Sequence, residues 1–186
     1  RVNLAAIGRD EAAEALAADG IAAQPTPYSP AGLRVAGGKS LALGALMRST
    51  GRIYAFDVSE RRLAKLAPRL ARSGLSNVRP VAIAHERDER VKRLYGKIDR
   101  VLVDAPCTGT GTLRRNPDIK WRELDLAALV AEQARVLEAA SRLLKPGGRL
   151  VYATCSLLRE ENEDIVRAFL DAHPAFRPVP AAGILA

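Results

Sequence analysis

Apolar residues in this chain alternate between short apolar-rich runs and stretches spaced three and four apart. The runs fall at residues 52–56, 78–84, 98–103 and 149–153, and they predict buried strands. Helix-spaced segments lie between them. They cover residues 40–47, 59–73 with Gly74 behind, 124–144 halted by Pro146-Gly147-Gly148, and 160–172 halted before Pro174. A further helix is predicted over residues 9–19, ending at Gly20. Strands alternating with helices predict an α/β fold, a doubly wound and mostly parallel sheet.

One region breaks this rhythm. Pro25, Pro27 and Pro30 crowd into a stretch that cannot be a central strand. Only Leu33-Arg34-Val35 then separates it from Ala36-Gly37-Gly38-Lys39, a glycine turn that opens a helix. Such a turn should follow a full first strand, and three residues are too few. The sequence therefore predicts a first strand that is incomplete, with residues missing between Val35 and Ala36. The expected organisation is a linker or remnant over 1–35 and one domain over 36–186.

With 186 residues, the chain suits one domain of ordinary size, and its 48% hydrophobic content suffices for a core. Aromatics are only 4%, so Leu, Val, Ile and Ala must fill that core. Twenty-nine Lys and Arg against 21 Asp and Glu give a net charge of +8, which favours a polyanionic partner such as nucleic acid. No run of 18 apolar residues and no signal pattern is present, so the expectation is a soluble, cytoplasmic protein without a membrane partner. A reducing compartment argues against a disulfide between the two cysteines.

Those two cysteines carry the chemistry that is legible. Asp104-Ala105-Pro106-Cys107 and Ala153-Thr154-Cys155-Ser156 each close a predicted strand, where parallel sheets collect ligand-binding groups. Two thiols at one sheet edge suit covalent catalysis; two small buried apolar residues fit the pair equally well. Asp57 ends the strand at 52–56, about 20 residues past Gly37 and Gly38, the place where a nucleotide ribose is gripped. A helix cap is the plainer role for it. Gly38-Lys39-Ser40 also resembles the end of a phosphate-binding P-loop, but that loop needs a glycine where Leu33 stands. Arg114, Arg115, Lys120 and Trp121 lie in one segment, a combination suited to clamping phosphates and stacking a base. A solvated loop with Trp121 folded onto the core fits the composition as well. His85 and His173 have no metal-ligand partners at useful spacing, so no metal is expected.

Taken together, these residues resemble the Sun (RsmB-like) family of S-adenosylmethionine-dependent RNA cytosine-C5 methyltransferases. The resemblance spans most of the chain. It is carried by the segment from Asp104 to Trp121 and by Tyr152-Ala153-Thr154-Cys155-Ser156 followed by Glu160-Glu161-Asn162. The family's glycine loop follows an acidic strand reading Asp-x-Cys-Ala-Gly-Ala-Gly-Gly-Lys, of which only Ala36-Gly37-Gly38-Lys39 is present. Its closing Asp-Gly-Phe-Phe-like strand is also absent. The resemblance implies a Rossmann-like methyltransferase fold, with residues 1–35 linking to an RNA-binding region. It implies that Gly37, Gly38 and Lys39 line the methionine end of S-adenosylmethionine, that Asp57 holds its ribose and that Asp88 contacts its adenine. Asp104 and Pro106 would lie between cofactor and base, Cys155 would be the nucleophile and Cys107 would assist product release. The implied substrate is ribosomal RNA, with a single-stranded or flipped-out cytosine in the small-subunit RNA, and the implied state is a monomer. A P-loop NTPase, a dinucleotide oxidoreductase and a non-catalytic RNA-binding module are the competing readings.

Overall fold

The computed structural model describes residues 14, 23–25, 33–35 and 39–180. The predicted helix at 9–19, the glycines Gly37 and Gly38, and the junction of Val35 with Ala36 lie outside these residues or at their edge. The backbone groups into two compact units, Arg1–Ala84 and His85–Ala186.

In the first unit, β1 (Ala23–Pro25) and β2 (Leu33–Val35) form a short antiparallel ribbon. Leu33-Arg34-Val35 is thus paired with a segment that ends at Pro25. Helix α1 (Lys39–Leu46) follows and buries Leu41 and Gly44. Gly44 has to be glycine, because a Cβ there would come within 3.0 Å of both Leu75 and Val78 side chains. A parallel pair comes next, β3 (Ile53–Asp57) and β4 (Val78–Ala82), in register from Ile53 opposite Val78 to Asp57 opposite Ala82. They are joined by α2 (Glu60–Ser73), whose first turn is capped by the Ser59 hydroxyl, which accepts from the Arg62 N–H. The helix stops at Gly74, which takes the left-handed conformation at φ 69°.

The second unit contains a short helix α3 (Glu89–Lys92), then β5 (Ile98–Asp104), α4 (Leu126–Ser141), β6 (Leu144–Ala153) and α5 (Glu163–Ala172). β5 and β6 pair in parallel, with Val101 to Asp104 opposite Leu150 to Ala153. A packed core of Val103, Ala105, Leu137, Ala140 and Ile165 joins this pair to α4 and α5. Single 3₁₀ turns at Thr110–Thr112, Pro117–Trp121 and Arg159–Glu161 shape the loops.

Three boundaries differ from expectation, each for a local reason. The long helix ends at Ser141, not 144, because the carbonyls of Arg142 and Leu143 accept backbone N–H bonds from Gly96, Lys97 and Ile98. Those bonds start the sheet pairing early, and Pro146-Gly147-Gly148 then sits inside β6 as an irregularity between the Ile98 and Arg100 rungs. The last helix opens with a separate 3₁₀ turn, because Asn162 leaves helical geometry at φ −125°, ψ −91°. The predicted doubly wound sheet is represented among the described residues by separate two-stranded pairs. No helix among them is long and apolar enough to cross a membrane.

Candidate active site

The parallel register of β5 and β6 places Asp104 opposite Ala153, so both strands deliver their following loops at the same edge. The Ala105 N–H extends the ladder by one bond to the Ala153 carbonyl, 3.0 Å. Beyond it the loops bring Cys107 and Cys155 together, with their sulfurs 3.3 Å apart. Both are free thiols, Cys107 half-buried and Cys155 exposed. The sequence placed each thiol at a strand end; the register makes them neighbours.

The two loops are bonded to one another along their length. The Gly111 N–H donates to the Cys155 carbonyl at 2.9 Å, and a Cβ on Gly111 would lie 2.8 Å from that oxygen. Gly109 sits at φ 76°, a conformation that favours glycine, and so turns the chain between Cys107 and Gly111. Three hydroxyls, Thr110, Ser156 and Thr108, form a chain that ends at Glu161. Thr108 donates its single hydroxyl proton to the Glu161 carboxylate at 2.5 Å. Ser156 Oγ lies 3.1 Å from the hydroxyls of both Thr108 and Thr110. Thr110 Oγ1 accepts from the Leu157 N–H.

Glu161 terminates this chain and is fully buried, at 0% exposure. It also accepts from the Thr108 N–H at 2.8 Å and from Gln133 Nε2 at 2.9 Å. Burial alone would raise its pKa, but the donors around it (Ser156, the side chain and backbone of Thr108, and Gln133) outweigh burial, and the pKa lies below the ordinary carboxyl value. Tyr152 donates to the Glu161 carbonyl at 2.9 Å. Its phenol is pushed up to about 12, first by burial and then by the charges of Glu161 and Cys107. The Cys155 thiol is also raised above its usual pKa, first by the hydrogen bond with Cys107, then by burial. Cys155 is therefore nucleophilic only once its own proton has left.

The basic segment stands open. Arg114, Arg115 and Lys120 are exposed, and Trp121 is 86% exposed, so its ring is not folded onto the core. Ile119 is the buried residue that anchors this 3₁₀ turn. Asp104 and Pro106 are exposed beside the thiols. Asp88 caps α3, accepting from the Arg90 N–H at 2.8 Å.

In the first unit, Asp57 ends β3 and Lys39 begins α1. One Asp57 oxygen, Oδ1, accepts from the Ser59 N–H at 2.8 Å and from Arg62 Nε and Nη2 at 3.1 and 2.8 Å. Asp57 therefore does the structural work of a helix-end carboxylate. The second oxygen, Oδ2, takes part in none of these bonds.

Sequence reasoning missed Gln133, Thr108, Ser156 and Tyr152 as a connected group. One signal was readable: Gln133 occupies a helical position in line with Val130, Leu137 and Ala140, where an apolar residue belongs. A polar residue on a core stripe calls for a buried partner.

A sequence profile described as "16S rRNA methyltransferase RsmB/F" matches residues 34–183. The chain belongs to that family. It is similar to the ribosomal RNA small subunit methyltransferase B of Salmonella newport strain SL254, 44% identical over 127 residues, which is 66% of this chain and 28% of that protein. The chain thus spans less than a third of the length of such relatives. Among solved structures it is similar to NSun6 from Pyrococcus horikoshii with SFG, at 34% identity and TM-score 0.64 over 73% of this chain and 34% of that one. A methyltransferase homolog protein from Pyrococcus horikoshii also matches, at 30% identity and TM-score 0.64 over 92% of this chain and 68% of the other. The α/β arrangement is accordingly the Rossmann-like fold of these methyltransferases.

Proposed function

We propose that this chain is the catalytic portion of an S-adenosylmethionine-dependent enzyme that forms 5-methylcytosine in ribosomal RNA, in the small-subunit RNA by analogy with its relatives. The observation that carries the reading is the 3.3 Å approach of Cys107 and Cys155 at the carboxyl edge of a parallel strand pair. A structural pair would gain nothing from the exposure of Cys155; a nucleophile needs it.

Cytosine C5 is a poor nucleophile until C6 is attacked. The Cys155 thiolate forms a bond to C6, which makes C5 enamine-like and able to take a methyl group. Removal of the C5 proton then lets the Cys155–C6 bond break and restores the aromatic ring, and Cys107, in contact with Cys155, assists that release. Asp104 and Pro106, exposed at the same edge, face the incoming base. S-adenosylmethionine supplies the electrophilic methyl group. The residues present fit it at one place: Asp57 is oriented through Oδ1 alone, leaving Oδ2 for a ribose hydroxyl. Gly37, Gly38 and Lys39 take the methionine end in this reading, and Asp88 takes the adenine. Arg114, Arg115, Lys120 and exposed Trp121 bind RNA backbone and stack a base, which requires single-stranded or flipped-out substrate. The enzyme works as a cytoplasmic monomer.

Calorimetry against S-adenosylmethionine, ATP and NAD in parallel tests this reading, combined with transfer of a labelled methyl group to small-subunit RNA. Binding of S-adenosylmethionine alone, with label at cytosine C5, is expected. Binding of ATP or NAD in its place sinks it.

A further inference from the structure

Cys107 and Cys155 are each flanked on both sides by residues held from elsewhere, and the holders are adjacent. On one side of Cys107, the Pro106 carbonyl accepts from Gln133 Nε2 at 2.8 Å, and Gln133 in turn donates to Glu161. On the other side, Thr108 gives both its N–H and its hydroxyl to Glu161. Around Cys155, Thr154 donates its hydroxyl to Asn162 Oδ1 at 2.6 Å, while Asn162 Nδ2 donates to the Ser156 carbonyl at 3.2 Å and to the Leu158 carbonyl at 2.7 Å. Glu161 thus holds Thr108 directly and Pro106 through Gln133, and Asn162 holds both neighbours of Cys155.

From this arrangement we infer that the Glu161-Asn162 pair positions the two thiols, fixing the gap between Cys107 and Cys155. Two consecutive residues cannot move far apart, so the peptide between them works as a rigid spacer from one loop to the other. The chemistry of Glu161 suits the task. A carboxylate only accepts, with room for several donors, and so gathers bonds from a loop and a helix at once. Burying a charge is a costly way to add stability, since apolar residues of similar volume often do as well; directional, charge-assisted bonds instead hold geometry. The hydroxyl chain of Thr110, Ser156 and Thr108 ties the two loops to that charge.

The consequence for methyl transfer rests on the covalent reading above, whereas the positioning itself does not. The test therefore reads the thiols directly. The purified chain is equilibrated with mixtures of reduced and oxidised glutathione. In that exchange Cys107 and Cys155 lose two protons and two electrons to form one disulfide, and one oxidised glutathione becomes two reduced molecules. The equilibrium gives the effective concentration of one thiol at the other. Glu161→Gln and Asn162→Ala should each lower it at least tenfold at temperatures well below their melting points. Thr108→Val should do the same, and Thr108→Ser, which keeps the hydroxyl, should stay within twofold of wild type. Thr108→Val added to Glu161→Gln should cost little beyond the larger single effect, since both cut the same connection. If folded variants melt earlier yet keep the wild-type effective concentration, the pair is only structural and the inference is overturned. Should Glu161→Gln not fold, the Thr108 variants decide the matter alone. In the parallel methylation assay, Glu161→Gln should lower kcat with KM for S-adenosylmethionine unchanged. A chain that transfers no methyl but shows the thiol effect retires the enzymatic reading and leaves the positioning intact.

Discussion

The carboxyl ends of β5/β6 and of β3 are built on opposite plans. At β5/β6, loops far apart in sequence are cross-bonded: Thr108 to Glu161 and Pro106 to Gln133, through the buried Thr108, Gln133 and Glu161, and Gly111 to Cys155 nearer the surface. At β3, the Asp57 carboxylate is bonded only by residues two and five positions further on, at the open start of α2, although its backbone carbonyl joins the ladder by accepting from the Ile83 N–H. The helix beside it, α2, buries none of its side chains, whereas α4 buries Gln133, Leu137, Ala139, Ala140 and Ser141. On the proposed function, the difference follows from the task assigned to each edge. A ribose grip needs one carboxylate with a free oxygen, and a local cap orients it well enough. Two thiols acting on one carbon pair need a fixed separation, which only a network anchored in the core supplies.

The largest expected effects divide the two thiols. Cys155→Ala should abolish methyl transfer and form no covalent RNA adduct. Cys107→Ala should still attack and transfer, but release slowly, leaving a protein–RNA complex that survives denaturing electrophoresis. Trapping by Cys155→Ala instead reverses the roles; unchanged rates in both variants would end the covalent account. Gly111→Ala comes next. Its Cβ would sit 2.8 Å from the Cys155 carbonyl, so the loops must part. A displacement of that kind costs on the order of 10²-fold in turnover, read as kcat at an unchanged fold by circular dichroism. Retained activity would show that the zipped edge is dispensable.

Smaller effects probe the looser edge and the basic segment. Asp57→Ala should weaken S-adenosylmethionine binding by roughly 1.5–3 kcal/mol, the range for a hydrogen bond to a charged group, measured by calorimetry. The glutathione equilibrium of the thiols should not move; if it does, the contrast between the edges is wrong. Trp121→Ala should weaken RNA binding by about 1–3 kcal/mol, as for loss of one stacked base, without changing the melting temperature, since the ring is 86% exposed. The smallest expected effect is on thiol ionisation. The Cys107 hydrogen bond is the leading cause that raises the Cys155 pKa. Removing it with Cys107→Ala should lower that pKa, enlarge the thiolate fraction near neutral pH and speed alkylation of Cys155 by iodoacetamide. Slower alkylation across the pH range would contradict the assigned hydrogen bond.

Much of the fold was legible because it depends on neighbours in sequence. The strand at 98–103, the helix over 59–73 and its stop at Gly74 follow from an apolar-rich run, helical spacing and a residue at ease in left-handed backbone. The cysteine motifs could be placed at strand ends for the same reason. Ranges failed where distant backbone intervened: Gly96, Lys97 and Ile98 take the carbonyls at 142–143 and cut the long helix short. The exposure of Trp121 was likewise open until the turn anchored by Ile119 was seen.

By itself, then, the sequence determined the local elements, the two thiols and the residues by which the family is recognised, since all of these rest on composition and short spacings. Only the tertiary structure decided that the thiols are 3.3 Å apart and that Glu161 and Asn162 hold their neighbours. Thr108 and Glu161 are separated by 53 positions, and Gln133 and Glu161 by 28. No local pattern records such a pairing, because the bonds exist only once the strands have aligned and the carboxylate has been buried.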